Sequence, residues 1–145
     1  MGNAKFDQLN AFLRGEIAAV ETYRMAMDKI ASGSATRGVL EENRRSHQAR
    51  VKLLRDEIVS LGGQPAVGSG VWGTWAKVVE GGAKILGDKA AVAALEDGED
   101  HGLKEYRFDG EDLDPAVKTL VRGHLLPQQE QTHRRMSDLK KALRT

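Results

Sequence analysis

Mostly apolar residues recur at alternating intervals of three and four through the first 30 positions of the chain. This spacing puts them on one face of an α-helix and is typical of helices that pack in coiled coils and bundles. The members are Phe6, Leu9, Leu13, Glu16, Val20, Tyr23, Met27 and Ile30. A second stripe of this kind contains Leu40, Arg44, His47, Val51, Leu54, Ile58 and Leu61. The chain is therefore constrained to pack helix on helix.

Two further stripes follow in the second half of the chain. The third contains Val92, Leu95, Glu99, Gly102 and Tyr106, and the fourth contains Leu120, Leu126, Glu130, His133, Met136, Leu139 and Leu143. Helix boundaries are also marked in the sequence. Ser34 or Thr36 is suited to cap the second helix, Asp114 followed by Pro115 to start the fourth, and "GGQP" to end the second. Pro127 predicts a kink in the fourth helix, because proline removes one backbone hydrogen bond.

The connections between the predicted helices indicate the topology. Short turns join the first helix to the second and the third to the fourth, whereas residues 62–87 form a much longer connection. That segment contains Trp72, Trp75 and Val79 on one side of a weakly amphipathic stretch, and a connection this long usually has structure of its own. We predict an all-α, single-domain four-helix bundle over residues 1–145. It consists of two helical hairpins joined by a crossover that carries a short helix.

The composition excludes several classes of protein. The chain has 145 residues, a net charge of +1 and no basic run, so nucleic acid is not expected as a partner. The absence of cysteine removes disulfides, thiolate catalysis and sulfur-ligated metals. No apolar run is long enough for a signal peptide or a membrane span, so we expect a soluble cytoplasmic protein without a membrane partner. A homodimer is expected on general frequency alone.

One phrase occurs twice in the chain. "RGEIAAVETYR" covers residues 14–24 and "DGEDHGLKEYR" covers residues 97–107. Each contains Gly-Glu, and then a Tyr-Arg pair in which the Tyr lies seven residues after the Glu. His47 on the second helix also has an apparent counterpart in His133 on the fourth. The pattern predicts a duplicated helical hairpin.

The duplication places polar residues within the apolar stripes. Taken alone, each has an ordinary explanation, such as a helix end or a hydrogen-bonded core histidine. Together, three buried carboxylates require positive charge between them, because a bare buried carboxylate is costly. A Glu-x-x-His spacing puts carboxylate and imidazole on one helix face, and oxygen and imidazole ligands suit iron or manganese better than zinc. Such carboxylates and histidines on the facing helices of a bundle build a carboxylate-bridged dimetal site.

On these motifs, the chain resembles the ferritin-like superfamily of the rubrerythrin and bacterioferritin kind. It is similar in particular to small bacterial ferritin-like proteins of unknown function, which share the "GE" phrase of the third helix, the "LGG-P" turn and a crossover containing Trp. The resemblance implies Glu16 and Glu99 as ligands from the first and third helices. It also implies Glu130 and His133 as the fourth-helix pair, and His47 as the histidine of the second helix. The glutamate expected three residues before His47 is replaced by Arg44.

Arg44 leaves three interpretations open. The first is a ferritin-like protein that binds one metal or an irregular pair, with oxygen or peroxide chemistry. The second is a metal-free structural or stress-related bundle in which the Arg44 guanidinium replaces the metal as counter-charge. A di-iron oxidase or storage ferritin is third, because it needs the missing glutamate. Tyr23 and Tyr106 are predicted to pack in the core with bonded hydroxyl groups, whereas His101 and His124 are predicted at the surface.

Overall fold

The computed structural model describes residues 3–30, 33–69, 87–108 and 114–144. Within those ranges every regular element is helical, so the predicted all-α class with four long helical segments is confirmed. The elements are α1 (Asn3–Asp28), α2 (Ala35–Ser60), α3 (Asp88–Phe108), α4 (Pro115–Leu120), a π-helical turn (Val121–Leu125) and α5 (Leu126–Arg144). The last three follow one another without a break. The short helix predicted around Trp72 and Trp75 lies outside the described residues.

The helix ends form as their sequence predicts. Ser34 Oγ accepts a hydrogen bond from the backbone N–H of Arg37 at 3.1 Å and caps α2. Asp114 Oδ1 accepts from the N–H of Ala116 at 2.9 Å, and Pro115 occupies the first turn of α4. Gly62 follows α2 at φ +88°, a left-handed conformation that glycine adopts without strain. Local sequence therefore sets where these helices begin and end.

The helices pack as two hairpins, α1 against α2 and α3 against α5, with additional contacts between α2 and α5 and between α1 and α3. The core has two apolar clusters. One contains Leu9, Phe12, Leu13, Val20, Val51, Leu54, Ile58, Tyr106, Val117, Leu120, Val121 and Leu125. The other contains Tyr23, Ala26, Met27, Ile30, Leu40, Ala91, Val92, Ala94, Leu95 and Met136. The early part of α1 shares a cluster with the late part of α3, so these two helices run antiparallel.

The predicted inward faces of α1 and α3 are confirmed, but that of α2 is partly wrong. Arg44 lies on the flank of α2, where its guanidinium contacts Glu41 at 2.7 Å. The polar residues of α2 that are buried with His47 and completely enclosed are Asn43 and Arg50. Residues 40, 43, 47, 50 and 54 match the period of an α-helix just as well as the predicted residues 40, 44, 47, 51 and 54. Packing against α5 decides which of the two sets is buried. The sequence of α2 alone does not contain that information.

The last helix also differs from the prediction, because a π-helical turn precedes α5. The Leu126 N–H bonds to the Val121 carbonyl, five residues back. Pro127 has no N–H to offer the Gly123 carbonyl, so the distortion expected near Pro127 takes this form. Buried Val117, Val121, Leu125 and Gln129 are each four residues apart. In a regular α-helix they would drift around the axis by about 40° per step, and the π turn absorbs that drift.

A buried polar network between the two apolar clusters

The centre of the bundle contains a histidine held between two carboxylates. The His47 Nδ1 atom lies 2.5 Å from Glu16 Oε1, and its Nε2 atom lies 2.6 Å from Glu99 Oε2. The three side chains come from α2, α1 and α3 and are almost completely buried. Because each ring nitrogen faces a carboxylate oxygen, the ring makes both contacts well only as an imidazolium that donates two N–H groups.

The repeated Glu and Tyr residues bond to each other across the two halves. The Tyr23 hydroxyl of α1 donates to Glu99 Oε2 of α3 at 2.5 Å. The Tyr106 hydroxyl of α3 donates to Glu16 Oε2 of α1. Because α1 and α3 are antiparallel, a Tyr seven residues after the Glu of its own helix lies level with the Glu of the other. The spacing in the two phrases therefore builds a reciprocal cross-link between the hairpins.

Arg50 of α2 supplies the second buried cation. Its guanidinium is completely buried and donates to Glu16 Oε2 at 3.3 Å and to Gln129 Oε1. A further N–H group donates to Thr132 Oγ1 at 2.9 Å. With Glu16, Glu99, His47 and Arg50 ionised, two negative and two positive charges balance within the network. Charge balance with hydrogen bonding is the condition under which buried ions are tolerated.

Neutral side chains complete the shell around Glu99. Gln129 Nε2 and Thr132 Oγ1 donate to Glu99 Oε1 at 2.9 and 2.7 Å. Asn43 Nδ2 donates to the Tyr23 hydroxyl at 3.1 Å. Gln129 reaches this position because α3 has Gly102 there: a Cβ atom at residue 102 would lie 2.8 Å from Gln129 Nε2.

The electrostatic environment keeps the network ionised. Burial alone raises the pKa of Glu16 and of Glu99, but Arg50 and His47 outweigh it and lower both values. Burial and Arg50 lower the pKa of His47, and the two carboxylates outweigh them and raise it. Burial raises the pKa of Tyr23 and Tyr106 well above the ordinary range, and their carboxylate partners raise it further. The tyrosines thus remain protonated donors.

The structure brings three of the five predicted ligands together, namely Glu16, His47 and Glu99. Glu130 and His133 lie apart from them, with side chains 42% and 25% exposed, and contact Arg107 and Asp100 at 3.2 and 3.6 Å. The prediction that this pair faces the core is corrected, because the buried polar residues of α5 are Gln129 and Thr132. An inward Glu130 would add a negative charge to a network that is already balanced.

Four core residues do not belong to the apolar stripes predicted from the sequence, namely Asn43, Arg50, Gln129 and Thr132. Arg50 had an available signal, since it lies three residues after His47 and shares its helix face. The residues of α5 had one too. Leu125, Thr132 and Met136 follow Leu40, His47 and Val51 by 85 residues each, so the counterpart of His47 is Thr132 and not His133. The other predictions for polar groups are confirmed: Tyr23 and Tyr106 are buried with bonded hydroxyl groups, and His101 and His124 are exposed.

The ferritin-like resemblance implies a metal ion, and the residues as arranged do not fit one. Each carboxylate oxygen of Glu16 and Glu99 already accepts a hydrogen bond from a protein donor. Arg50 directs a guanidinium at Glu16, and its Nε atom is buried without a hydrogen-bond partner among the described residues. That N–H is a donor and cannot ligate a cation. In the ranges the structure describes, no three His, Cys, Asp or Glu side chains are arranged to hold a metal.

A small cavity reaches the network from the side where α1 faces α3. Its walls include Gly15, Ala19, Gly98 and Gly102, and its inner end includes Glu16, His47 and Gln129, with Phe12, Glu105 and Tyr106 completing the lining. The space open to the centres of water-sized molecules is about 40 Å³. Small residues on both helices leave this opening, because no side chain extends across it.

The fold and the network define an all-α helical-bundle protein with a charge-balanced Glu–His–Arg core. The chain belongs to the family described as Domain of unknown function (DUF2383), whose model matches residues 4–108. The matched span contains Glu16, His47, Arg50 and Glu99 but ends before Gln129 and Thr132 of α5. Neither the curated proteins nor the solved structures gave a match. Among the described residues, no helix is long and apolar enough to cross a membrane.

Proposed function

We propose that this chain is a ferritin-like bundle that works without a metal ion, as a structural or stress-related protein that acts through binding or assembly. In this proposal His47 and Arg50 take the place of the metal as counter-charges to Glu16 and Glu99. Arg50, whose guanidinium is fully buried, has the counter-charge role that the sequence suggests for Arg44.

The observation that carries the proposal is that each oxygen of both core carboxylates accepts a hydrogen bond from a donor of the protein. Two cations of the protein neutralise them, and two tyrosines, a glutamine and a threonine supply further hydrogen bonds. A cation bound beside Glu16 would have to displace the His47 contact and approach the Arg50 guanidinium. Both changes leave buried charge without a partner, which costs several kcal/mol per group.

The competing candidate is a protein that binds one metal ion, iron or manganese, with zinc less favoured, and carries out oxygen or peroxide chemistry. Its support is the convergence of Glu16, His47 and Glu99, which are suitable ligand types from three helices. It needs no contribution from Glu130 or His133. The two candidates differ in a directly measurable quantity, the metal content of the protein.

The deciding experiment is elemental analysis of the protein purified without chelator, together with thermal unfolding with and without EDTA. We expect less than about 0.1 equivalent of iron, manganese or zinc per chain, and an unfolding temperature that EDTA leaves unchanged. A metal that binds only the native state would raise that temperature, and removing it with EDTA would lower the temperature again. About one equivalent of a transition metal, lost together with stability in EDTA, would contradict the proposal.

Two arginine variants test the counter-charge role independently of metal. Arg50→Met removes the buried cation and is expected to destabilise the protein by about 3–5 kcal/mol, since Glu16 loses its partner. Arg44→Met is the matched control and should cost less than about 1 kcal/mol, because Arg44 forms a surface pair with Glu41. Adding Glu16→Gln to Arg50→Met should recover part of the loss. Equal effects of the two arginine variants in urea denaturation would argue against a role for Arg50.

A further inference from the structure

The cavity between α1 and α3 is kept open by glycine where packing does not demand it. A Cβ atom built at Gly98 would meet no atom within 4 Å, and Gly98 does not have a positive φ. Neither crowding nor backbone conformation therefore explains this glycine. Glycine inside a helix lowers its stability, so a side chain here would be favoured if nothing else had to use the space.

The same arrangement occurs in both halves of the duplicated chain. Gly15 precedes Glu16 on α1 just as Gly98 precedes Glu99 on α3, and both glycines line the cavity. In each repeated Gly-Glu pair, the Glu belongs to the polar network and the Gly lines the cavity beside it. The two phrases together form an opening that leads from the surface to Glu16 and His47.

The lining determines what kind of molecule the cavity could hold. The space open to the centres of water-sized molecules is about 40 Å³. It accommodates about three waters, or a solute of two to four non-hydrogen atoms. Phe12, Ala19 and the glycines are apolar, while Glu16 and Tyr106 place oxygen atoms at the inner end. The adjoining network is already neutral, and Glu105, the lining carboxylate outside that network, contacts His101 at 3.1 Å, so the inner end favours a neutral hydrogen-bond donor over a charged solute.

We infer that the α1–α3 cavity is a binding site for a small uncharged hydrogen-bond donor, which enters past Gly15 and Gly98 and bonds to the oxygen atoms beside His47. The inference rests on the proposed function in one respect, since the neutrality of the ligand follows from the metal-free, charge-balanced network. With two to four atoms in contact, the dissociation constant should be about 1 mM or weaker.

Matched pairs of small solutes test the site by NMR. Formamide and methanol are the neutral probes, and formate and methylammonium are charged counterparts of the same size. Each is titrated to about 200 mM while the amide signals of Gly15 and Gly98 are followed. We expect saturable shifts for the neutral probes and binding at least tenfold weaker for both ions.

Two glycine variants connect the shifts to the cavity. Gly98→Leu should weaken binding of the neutral probes at least tenfold by filling the opening, with Gly98→Ala as the smaller replacement if the leucine variant does not fold. Gly38→Leu is the matched control, because Gly38 lies on α2 and a Cβ atom there also meets nothing within 4 Å. It should bind the probes like the wild type.

Each outcome bears on the inference or on its premise. Absence of saturable shifts, or equal shifts in Gly98→Leu and wild type, would overturn the binding site. Methylammonium binding as tightly as methanol would overturn the neutral ligand class. Elemental analysis of the same sample then separates the two failures, since a metal-containing protein contradicts the proposed function whether or not the probes bind.

Discussion

Gly98 and Gly102 lie one turn apart on α3 and lack side chains for different physical reasons. Gly102 makes space for Gln129, which a Cβ atom would meet at 2.8 Å, and Gln129 in turn donates to Glu99. Gly98 faces the open cavity, and nothing lies within 4 Å of its missing Cβ. One glycine therefore serves the polar network and the other serves the opening that leads to it.

The two positions should respond to alanine in opposite directions. Gly98→Ala should stabilise the protein by about 0.5–1 kcal/mol, the usual gain from replacing glycine inside a helix. Gly102→Ala should destabilise it by about 1–3 kcal/mol, because Gln129 must move and leave Glu99 with an unmet hydrogen bond. Urea denaturation of both variants measures the difference. Stabilisation by both substitutions would show that Gly102 is not needed for the Gln129 contact.

At the scale of the helix, the π turn between α4 and α5 sets which residues of α5 face the core. It adds about one residue to the turn that precedes Pro127 and so changes the phase of everything after it. Counting back from Met136, either Thr132 or His133 could face inward by period alone. The structure buries Thr132 completely, where its hydroxyl bonds to Glu99.

Removing one residue tests this account of the phase. Deletion of Gly123 should convert the π turn into regular α-helix, with both flanks keeping their buried faces, at a cost of about 1–2 kcal/mol or less. Deletion of the exposed Ala49 from α2 is the control. It should rotate Val51, Leu54 and Ile58 by about 100° from the core and cost about 4.5–9 kcal/mol, since each loses about 1.5–3 kcal/mol of burial. Circular dichroism and urea denaturation report both. Comparable losses from the two deletions would mean that the π turn does not absorb the extra residue.

For the whole molecule, the polar network joins the two hairpins in a layer between two apolar clusters. Glu16, Tyr23, His47 and Arg50 belong to the first hairpin, and Glu99 and Tyr106 belong to the second. Apolar packing alone tolerates small shifts of one hairpin along the other, whereas paired charges and short hydrogen bonds do not. The network thereby specifies one alignment of the hairpins, at the cost of burying four charged groups.

This arrangement predicts a stability maximum in mildly acidic solution, between about pH 4.5 and 6.5. The raised pKa of His47 means that its contribution to the free energy of unfolding is complete below the ordinary pKa of 6.5. That contribution is lost as the pH rises through the pKa in the folded protein. The lowered pKa values of Glu16 and Glu99 mean that theirs is complete above 4.5 and is lost as the pH falls through the folded values. Unfolding free energies from urea denaturation between pH 3 and 9 (about one point per half unit) test the maximum.

Histidine variants test whether His47 causes the loss of stability at alkaline pH. His47→Gln should flatten the fall in stability above about pH 6.5. His101→Gln should leave the fall unchanged, because that ring is half exposed and contacts Glu105 at the surface. The charged and titratable groups around His47 are Glu16, Glu99, Arg50 and the two tyrosines, while α5 contributes only neutral Gln129 and Thr132. A decline that persists in His47→Gln would place the responsible group elsewhere.

The sequence by itself determined the four helical segments, their caps, and the core faces of α1 and α3. It also placed Glu16 and Glu99 in the core, because strict alternation of three and four residues leaves a single inward face on these two helices. The reciprocal Tyr–Glu bonds were implicit in the repeated phrases and needed only the antiparallel direction of α1 and α3 to become visible.

Tertiary structure alone decided between neighbouring residues on α2 and α5. Asn43 and Arg44 differ by one position, as do Thr132 and His133, and an inward face about 100° wide admits either member of each pair. The energy of the assembled core selects between them. Two buried carboxylates require two cations and no third anion, so Arg50 and His47 are enclosed, while Glu130 turns toward Arg107 at the surface. That balance depends on charges from α1, α2 and α3 and on neutral donors from α5, and no single helix carries it in its own sequence.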